Sequence, residues 1–129
     1  MNPLDKALRF LSYRARTEKE IRDKLGPECT EEVIAKLKTY GYIDDQKYAQ
    51  SYIESRLRSK PRSQKLILLE LKRKGITTEY RILNTDYELA QKALEKKKNL
   101  KTREQAMRFL ASRGFSWDII EKTVKKEYN

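Results

Sequence analysis

The chain contains no histidine. That removes the side chain that most often acts as a general base near neutral pH, and with it the commonest metal ligand. One cysteine, Cys29, excludes an internal disulfide and offers no thiolate cluster for a metal. Glycine (four) and proline (three) are scarce, and runs alternating apolar with polar residues are missing. Both shortages argue against a β-sheet protein and for an all-helical one. No apolar run approaches the roughly 20 residues that span a bilayer. The start lacks a charged-then-apolar signal pattern, because Arg9 interrupts Leu8 to Leu11. A cytoplasmic protein without cross-links or cofactors is therefore expected.

What the chain has in abundance is charge. Over 129 residues, 38% are charged and 38% hydrophobic, so the core must be thin and the surface heavily charged. Thirty basic residues face 19 acidic ones, a net of +11. An excess of that size points to a polyanionic partner, most often nucleic acid. A merely solvated surface is the plainer explanation, and the distribution of the charge weighs against it.

The apolar residues recur at helical spacing. Ala7, Leu8, Phe10 and Leu11 make a first stripe, with Asn2 as its cap, ending near Tyr13 or Arg14. Thr17 opens a second helix with Glu20 as capping-box partner, and Gly26-Pro27 ends it. Thr30 opens a third, which Gly41 stops. Asp44-Asp45 precede a helix carrying Tyr48, Ala49, Tyr52, Ile53 and Leu57. Ser63 caps the next, so apolar over Leu66 to Leu69 and Leu71 that it is expected to be the most buried. Gly75 stops it, and Thr77 is expected to cap a short helix with Tyr80, Ile82 and Leu83. Further helices follow around Leu89 to Leu94, from Thr102 to Leu110, and from Ser116 onward.

The punctuation repeats. Thr17, Ser63 and Thr102 open helices, Gly26, Gly75 and Gly114 stop them, and Thr30, Thr77 and Ser116 open the next, each after an apolar residue (Cys29, Ile76, Phe115). Such periodicity signals a stacked helical array. The expected fold is all-α, with three tandem three-helix repeats over 1–44, 45–86 and 87–129. The repeats would stack as a short, curved solenoid of either hand.

Four segments carry a family resemblance. LSYRARTEKEIRDKL (Leu11 to Leu25), GYIDDQKYAQSY (Gly41 to Tyr52), LELKRKGI (Leu69 to Ile76) and RFLASRGFSWDII (Arg108 to Ile120) occur in that order. Together they resemble the RecX family, regulators of the bacterial recombinase RecA. The third-repeat segment, Arg108 to Ile120, is the most specific. The sequence departs from the pattern at Ser63, where members often carry glycine after a proline-containing turn, and the turn there is expected to differ. The chain is short for the family, with no extra repeat expected. The resemblance implies a non-enzymatic modulator that binds the RecA–single-stranded-DNA filament. It would limit extension, ATP hydrolysis and strand exchange, and bind DNA directly, single-stranded and in some cases duplex. A monomer without membrane association is expected.

The basic excess is uneven: residues 1–44 carry nine basic and eight acidic residues, 45–86 ten and five, 87–129 eleven and six. A basic strip contacting DNA or RecA is expected from Arg56, Arg58, Lys60, Arg62, Lys65, Lys72, Arg73, Lys74, Lys96, Lys97, Lys98, Lys101, Arg103, Arg108 and Arg113. Favourable pairing with helix C-terminal dipoles is the structural alternative for each run. Arg14, Arg16 and Trp117 are candidate partner contacts, or else braces for helix ends and a staple over the last helix. Tyr42, Tyr48 and Tyr52 are expected to pack between repeats, a base-stacking platform being the less favoured role. A helix-turn-helix DNA binder without RecA specificity is the rival function, against which the repetition argues. Asp44-Asp45 is the only conspicuous carboxylate pair; adjacent side chains diverge, and capping explains them, so no enzyme is expected.

Overall fold

A computed structural model describes residues 1–77 and 80–128. Eight α-helices and no strand occur among the described residues: α1 (Pro3–Leu11), α2 (Glu18–Leu25), α3 (Glu31–Thr39), α4 (Asp45–Arg58), α5 (Gln64–Arg73), α6 (Asp86–Lys96), α7 (Arg103–Ser112) and α8 (Trp117–Glu127). A 3₁₀ turn, Gly26–Glu28, follows α2. The chain gathers into two compact units, Met1–Ser51 with Leu71–Thr78, and Tyr52–Glu70 with Glu79–Asn129.

The caps form where the residue types demand them. Asn2, Thr17, Thr30, Ser63, Thr85, Thr102 and Ser116 each accept a hydrogen bond from the backbone N–H three residues on. At Thr17 the box is reciprocal, since the Glu20 carboxylate accepts from the Thr17 N–H. At Thr102 it slips by one residue: Gln105 accepts from Lys101 instead. Helix α1 stops at Leu11, before Tyr13, because the Ser12 hydroxyl takes the Arg9 carbonyl at 2.6 Å.

The first unit is built on Ala7, Ile21, Leu25, Ile34, Leu37 and Ile43. The second is built on Leu89, Ala90, Ala93, Leu94, Ala106, Leu110, Phe115, Ile120 and Val124, with Leu57 packed against them. Each fully buried leucine or isoleucine contributes about 1.5–3 kcal/mol relative to exposure. The expectation for α5 fails. It buries Ile67 and Leu71, one turn apart, while Leu66 and Leu68 are half-buried and Leu69 is 40% exposed. A continuous apolar run wraps round a helix, but only one side of it is covered. Helix α6 is the more deeply buried, through Leu89, Ala90, Ala93 and Leu94, where two alanines let neighbouring helices approach closely.

A second expectation also fails. Tyr80 to Leu83 are irregular backbone, not a helix opened by Thr77; Thr78 and Glu79 lie outside the described residues. Only Thr78 to Asn84 separate Thr77 from the next cap at Thr85, too short a stretch to hold a helix without tertiary support. The tertiary bonds favour extended chain instead, because the Gln64 amide donates to the carbonyls of both Ile82 (3.1 Å) and Asn84 (2.5 Å). Tyr42 is likewise not packed away: it is 54% exposed and tilts against Tyr40, centroids 6.5 Å apart. Tyr48 and Tyr52 are half-buried.

Each unit contains one copy of the same joint. In the first, the buried Thr17 hydroxyl donates to the Lys74 carbonyl at 2.7 Å, just past the end of α5. In the second, the N–H of buried Ser63 donates to the Arg113 carbonyl at 3.0 Å, just past the end of α7. An orphan C-terminal carbonyl is thus satisfied by the capping residue of another helix. The stop glycine beside each carbonyl approaches that helix directly. A β-carbon on Gly75 would collide with the Lys19 side chain. One on Gly114 would stand 2.7 Å from the Ser63 hydroxyl and 2.9 Å from Leu66 Cβ. The parallel extends to carboxylates: Asp45 accepts from the Glu18 N–H and Asp86 from the Gln64 N–H, both at 2.9 Å.

Gly114 has φ +84° and Gly41 +74°, but a β-carbon on Gly41 would meet nothing within 4 Å. Gly41→Ala therefore incurs backbone strain alone, about 1 kcal/mol, and Gly114→Ala adds an overpacked joint, for a total of about 2–4 kcal/mol. Urea unfolding of the two variants measures the difference; equal losses would show that the close approach at Gly114 contributes nothing.

Candidate functional site

Among the described residues no grouping of acidic or cysteine side chains could hold a metal, and no helix is long and apolar enough to cross a membrane. The Asp44-Asp45 pair is consumed structurally. Asp44 accepts from the Lys47 N–H at 3.1 Å, and Asp45 closes the N-terminus of α2.

The two units treat their cations differently. In the first, acids stand close to them: Lys6 with Glu28, Arg14 with Glu20, Lys19 with Asp23, Arg22 with both Glu18 and Glu31, Lys36 with Glu32, and Lys38 with Glu18. Bonds to Glu31 and Glu18 raise the Arg22 guanidinium above its ordinary value. In the second unit the ion pair within 4 Å among the described residues is Arg62 with Glu70, at 2.6 Å. Among the described residues of that unit, 52–70 and 80–128, the other cations have no acid within 4 Å.

Those cations are also gathered. Arg58 at the end of α4 lines an open groove of about 630 Å³ with Lys92, Lys96 and Lys98 of α6 and its C-terminal extension, beside Glu95. Lys97 lies over the face of Phe109, ammonium 5.9 Å from the centroid, and Arg113 lies over the same ring at 5.0 Å. Arg113 and Arg62 both donate to the Lys60 carbonyl, at 3.4 and 3.1 Å. Arg56 stacks on Tyr52 at 4.9 Å. Burial, then repulsion from Arg62 and Arg56, pushes the Arg113 guanidinium below its ordinary value. The runs that the sequence places 40 residues apart thus meet in one unit through Phe109 and the 59–62 turn.

The remaining candidates fall elsewhere. Lys72 and Arg73 are exposed at the end of α5, and Lys74 is half-buried, its carbonyl held by Thr17. Lys101, Arg103 and Arg108 are exposed along the start and outer face of α7, and Lys65 is exposed on the first turn of α5. Lys65, Lys101 and Arg103 stand at helix N-termini, where the dipole disfavours cations, so dipole pairing does not explain them. Arg14 donates to the Ala15 carbonyl and to Glu20. Arg16 stacks on Phe10, 3.7 Å from its centroid. Trp117 is 60% exposed; the buried aromatic before α8 is Phe115, so Trp117 does not staple that helix. Lys92 and Glu70 were absent from the sequence reading, and neither Tyr52 nor Phe109 was read there as the support of an arginine. The rings had a legible signal: Tyr52–Arg56 and Phe109–Arg113 are both aromatic–arginine pairs one helical turn apart.

An all-α array whose matching caps and joints recur, with a net basic second unit, defines a class of helical-repeat proteins. Sequence comparison sharpens this. Residues 4–37, 44–80 and 84–124 match the first, second and third three-helix domains of RecX. The chain belongs to the RecX family. It is 35% identical to the regulatory protein RecX of Clostridium perfringens strain 13, over 95% of this chain and 67% of that protein. It is 30% identical to that of Bacillus pumilus, over 95% of this chain and 54% of the relative. The crystal structure of RecX from Lactobacillus salivarius superposes with a TM-score of 0.71 at 31% identity, covering 96% of this chain and 93% of that one. The chain spans between half and two thirds of the curated relatives' length.

The ion pairs of the first unit give a pH signature. The Lys38 ammonium, and after it the Arg22 guanidinium, hold the Glu18 carboxyl below its ordinary value against the opposing effect of burial. A depressed folded pKa contributes stability at neutral pH that is lost as pH falls through that pKa. Glu18→Gln should therefore lower stability at pH 7 and flatten its decline on acidification. Thermal midpoints of both proteins between pH 7 and about pH 3 test this, and parallel curves would refute it.

Proposed function

We propose that this protein regulates the RecA recombinase without being an enzyme itself. It binds the filament that RecA forms on single-stranded DNA and limits filament extension, ATP hydrolysis and strand exchange, and so regulates DNA repair and recombination. The observation that carries this reading is the basic surface of the second unit, residues 52–70 and 80–128, where Arg62 with Glu70 is the ion pair among the described residues, in a chain of a family whose members are called regulatory proteins. A surface of this kind suits a phosphate backbone, because each cation that neutralises a phosphate releases a condensed counterion. Lys72, Arg73 and Lys74, in the other unit, add a second basic run for the same partner. The protein acts as a cytoplasmic monomer built from three repeats, 1–44, 45–86 and 87–129. Trp117, exposed at the start of α8, is a contact to RecA, since large exposed aromatics anchor protein interfaces.

DNA-dependent ATP hydrolysis by RecA, measured with increasing amounts of this protein, should fall at near-stoichiometric ratios. Undiminished hydrolysis there would overturn the reading. Affinity for an oligothymidylate should drop steeply as salt rises from about 50 to 200 mM. Reversal of Lys72, Arg73 and Lys74 to glutamate should weaken both effects; a triple variant that inhibits as well as the parent would remove that run from the interface.

A further inference from the structure

The turn at residues 59–62 is built for more than connecting two helices. Lys60 has φ +54°, making it the only described non-glycine residue in the left-handed region. Such backbone persists only where its surroundings hold it. Here two guanidiniums hold it: Arg62 Nε and an Arg113 terminal nitrogen converge on the Lys60 carbonyl. Pro61 beneath is buried, and the Lys60 side chain is exposed.

Around that turn Arg113 is lowered first by burial and then by repulsion from Arg62 and Arg56, and one carboxylate, Glu70, stands beside them among the described residues. Three guanidiniums and the Lys60 ammonium against a single carboxylate leave a local excess of positive charge that is partly withdrawn from water. Desolvated charge is costly without a counter-ion. The donors are also not used up: Arg56 Nε is buried with no acceptor, and one Glu70 oxygen is buried with no donor. The aromatic faces of Tyr52 and Phe109 fix the planes of Arg56 and Arg113. Pre-organised arginine forks match the oxygens of a phosphate better than ammonium groups do.

We propose that Arg56, Lys60, Arg62 and Arg113 form a discrete seat for one phosphate of single-stranded nucleic acid, with Glu70 as the resident counter-anion that the phosphate displaces or joins. This rests on the DNA-binding part of the function proposed above and places one contact of it. The strained Lys60 backbone presents the ammonium at the rim, while the guanidiniums supply the floor.

The test uses the full chain. The arginine side-chain N–H signals are followed by ¹⁵N NMR during titration with a short oligothymidylate, and separately with pyrophosphate, at constant ionic strength. Arg56→Lys, Arg62→Lys and Arg113→Lys assign the signals. The Arg56, Arg62 and Arg113 signals should shift with both probes, and Arg113→Lys, with its thermal midpoint checked, should bind the oligonucleotide several-fold more weakly. Glu70→Gln should bind it several-fold more tightly, and more so than Glu121→Gln, which makes the same charge change at an exposed site. Oligonucleotide binding with the three signals unmoved, or Glu70→Gln no tighter than Glu121→Gln, would overturn the seat alone. A response to pyrophosphate without one to the oligonucleotide would overturn the nucleic-acid source. Absence of any oligonucleotide binding would overturn both the seat and the DNA part of the proposed function.

Discussion

The structure depends on one joint, made twice. The end of a helix, its carbonyl left over by the helical pattern, comes to rest on the capping residue of another helix, and a glycine permits the approach. Lys74 against Thr17 and Arg113 against Ser63 are the two instances. Both halves of the joint have unmet needs on their own. The C-terminal carbonyl lacks a donor and the N-terminus lacks an acceptor. At Ser63 the backbone N–H meets the carbonyl directly, at Thr17 the capping hydroxyl donates to it while accepting from the Glu20 N–H, and the negative end of one dipole faces the positive end of the other. Thr17 and Ser63 are fully buried polar residues because of this, not in spite of it.

The joint also accounts for how the basic residues are displayed. Arg113 follows the last turn of α7 and precedes the close-packed Gly114, so anchoring that end on Ser63 places its guanidinium beside the 59–62 turn. Ser63, the position where the chain departs from the RecX-like pattern, is thereby given two tasks, capping α5 and holding α7. A glycine there would leave the backbone bond to Arg113 but lose the hydroxyl that caps α5. The charge then divides according to its neighbours. Acids were placed within reach of the cations in residues 1 to 38, so that surface is largely neutralised. In the second unit the cations stack on rings and on one another's carbonyl acceptor, which orients them without cancelling them.

The places where expectation and structure part share one cause. The helix expected over Tyr80, Ile82 and Leu83 had suitable apolar spacing and a cap, yet Gln64, far away in sequence, takes the carbonyls of Ile82 and Asn84. The run Leu66 to Leu71 looked the most buried because it is the most apolar, yet burial depends on what lies opposite, and small alanines in α6 attract closer neighbours than bulky leucines in α5. Tyr42 fell just after a stop and looked structural, but Tyr40 meets it on the surface.

Local chemistry was settled by the sequence alone. Serine, threonine and asparagine oxygens cap the N–H three residues on, glycine adopts positive φ, and apolar residues at helical spacing make a buried face, because each of these is decided within a few residues. All-α repeats and a basic character followed directly. Tertiary structure decided the rest. It chose which carbonyl each cap would meet, that Phe109 would carry both Lys97 and Arg113, and that a single carboxylate, Glu70, would stand among three arginines. Those are contacts between residues up to 57 positions apart, and no local preference of the chain encodes the partner at the other end.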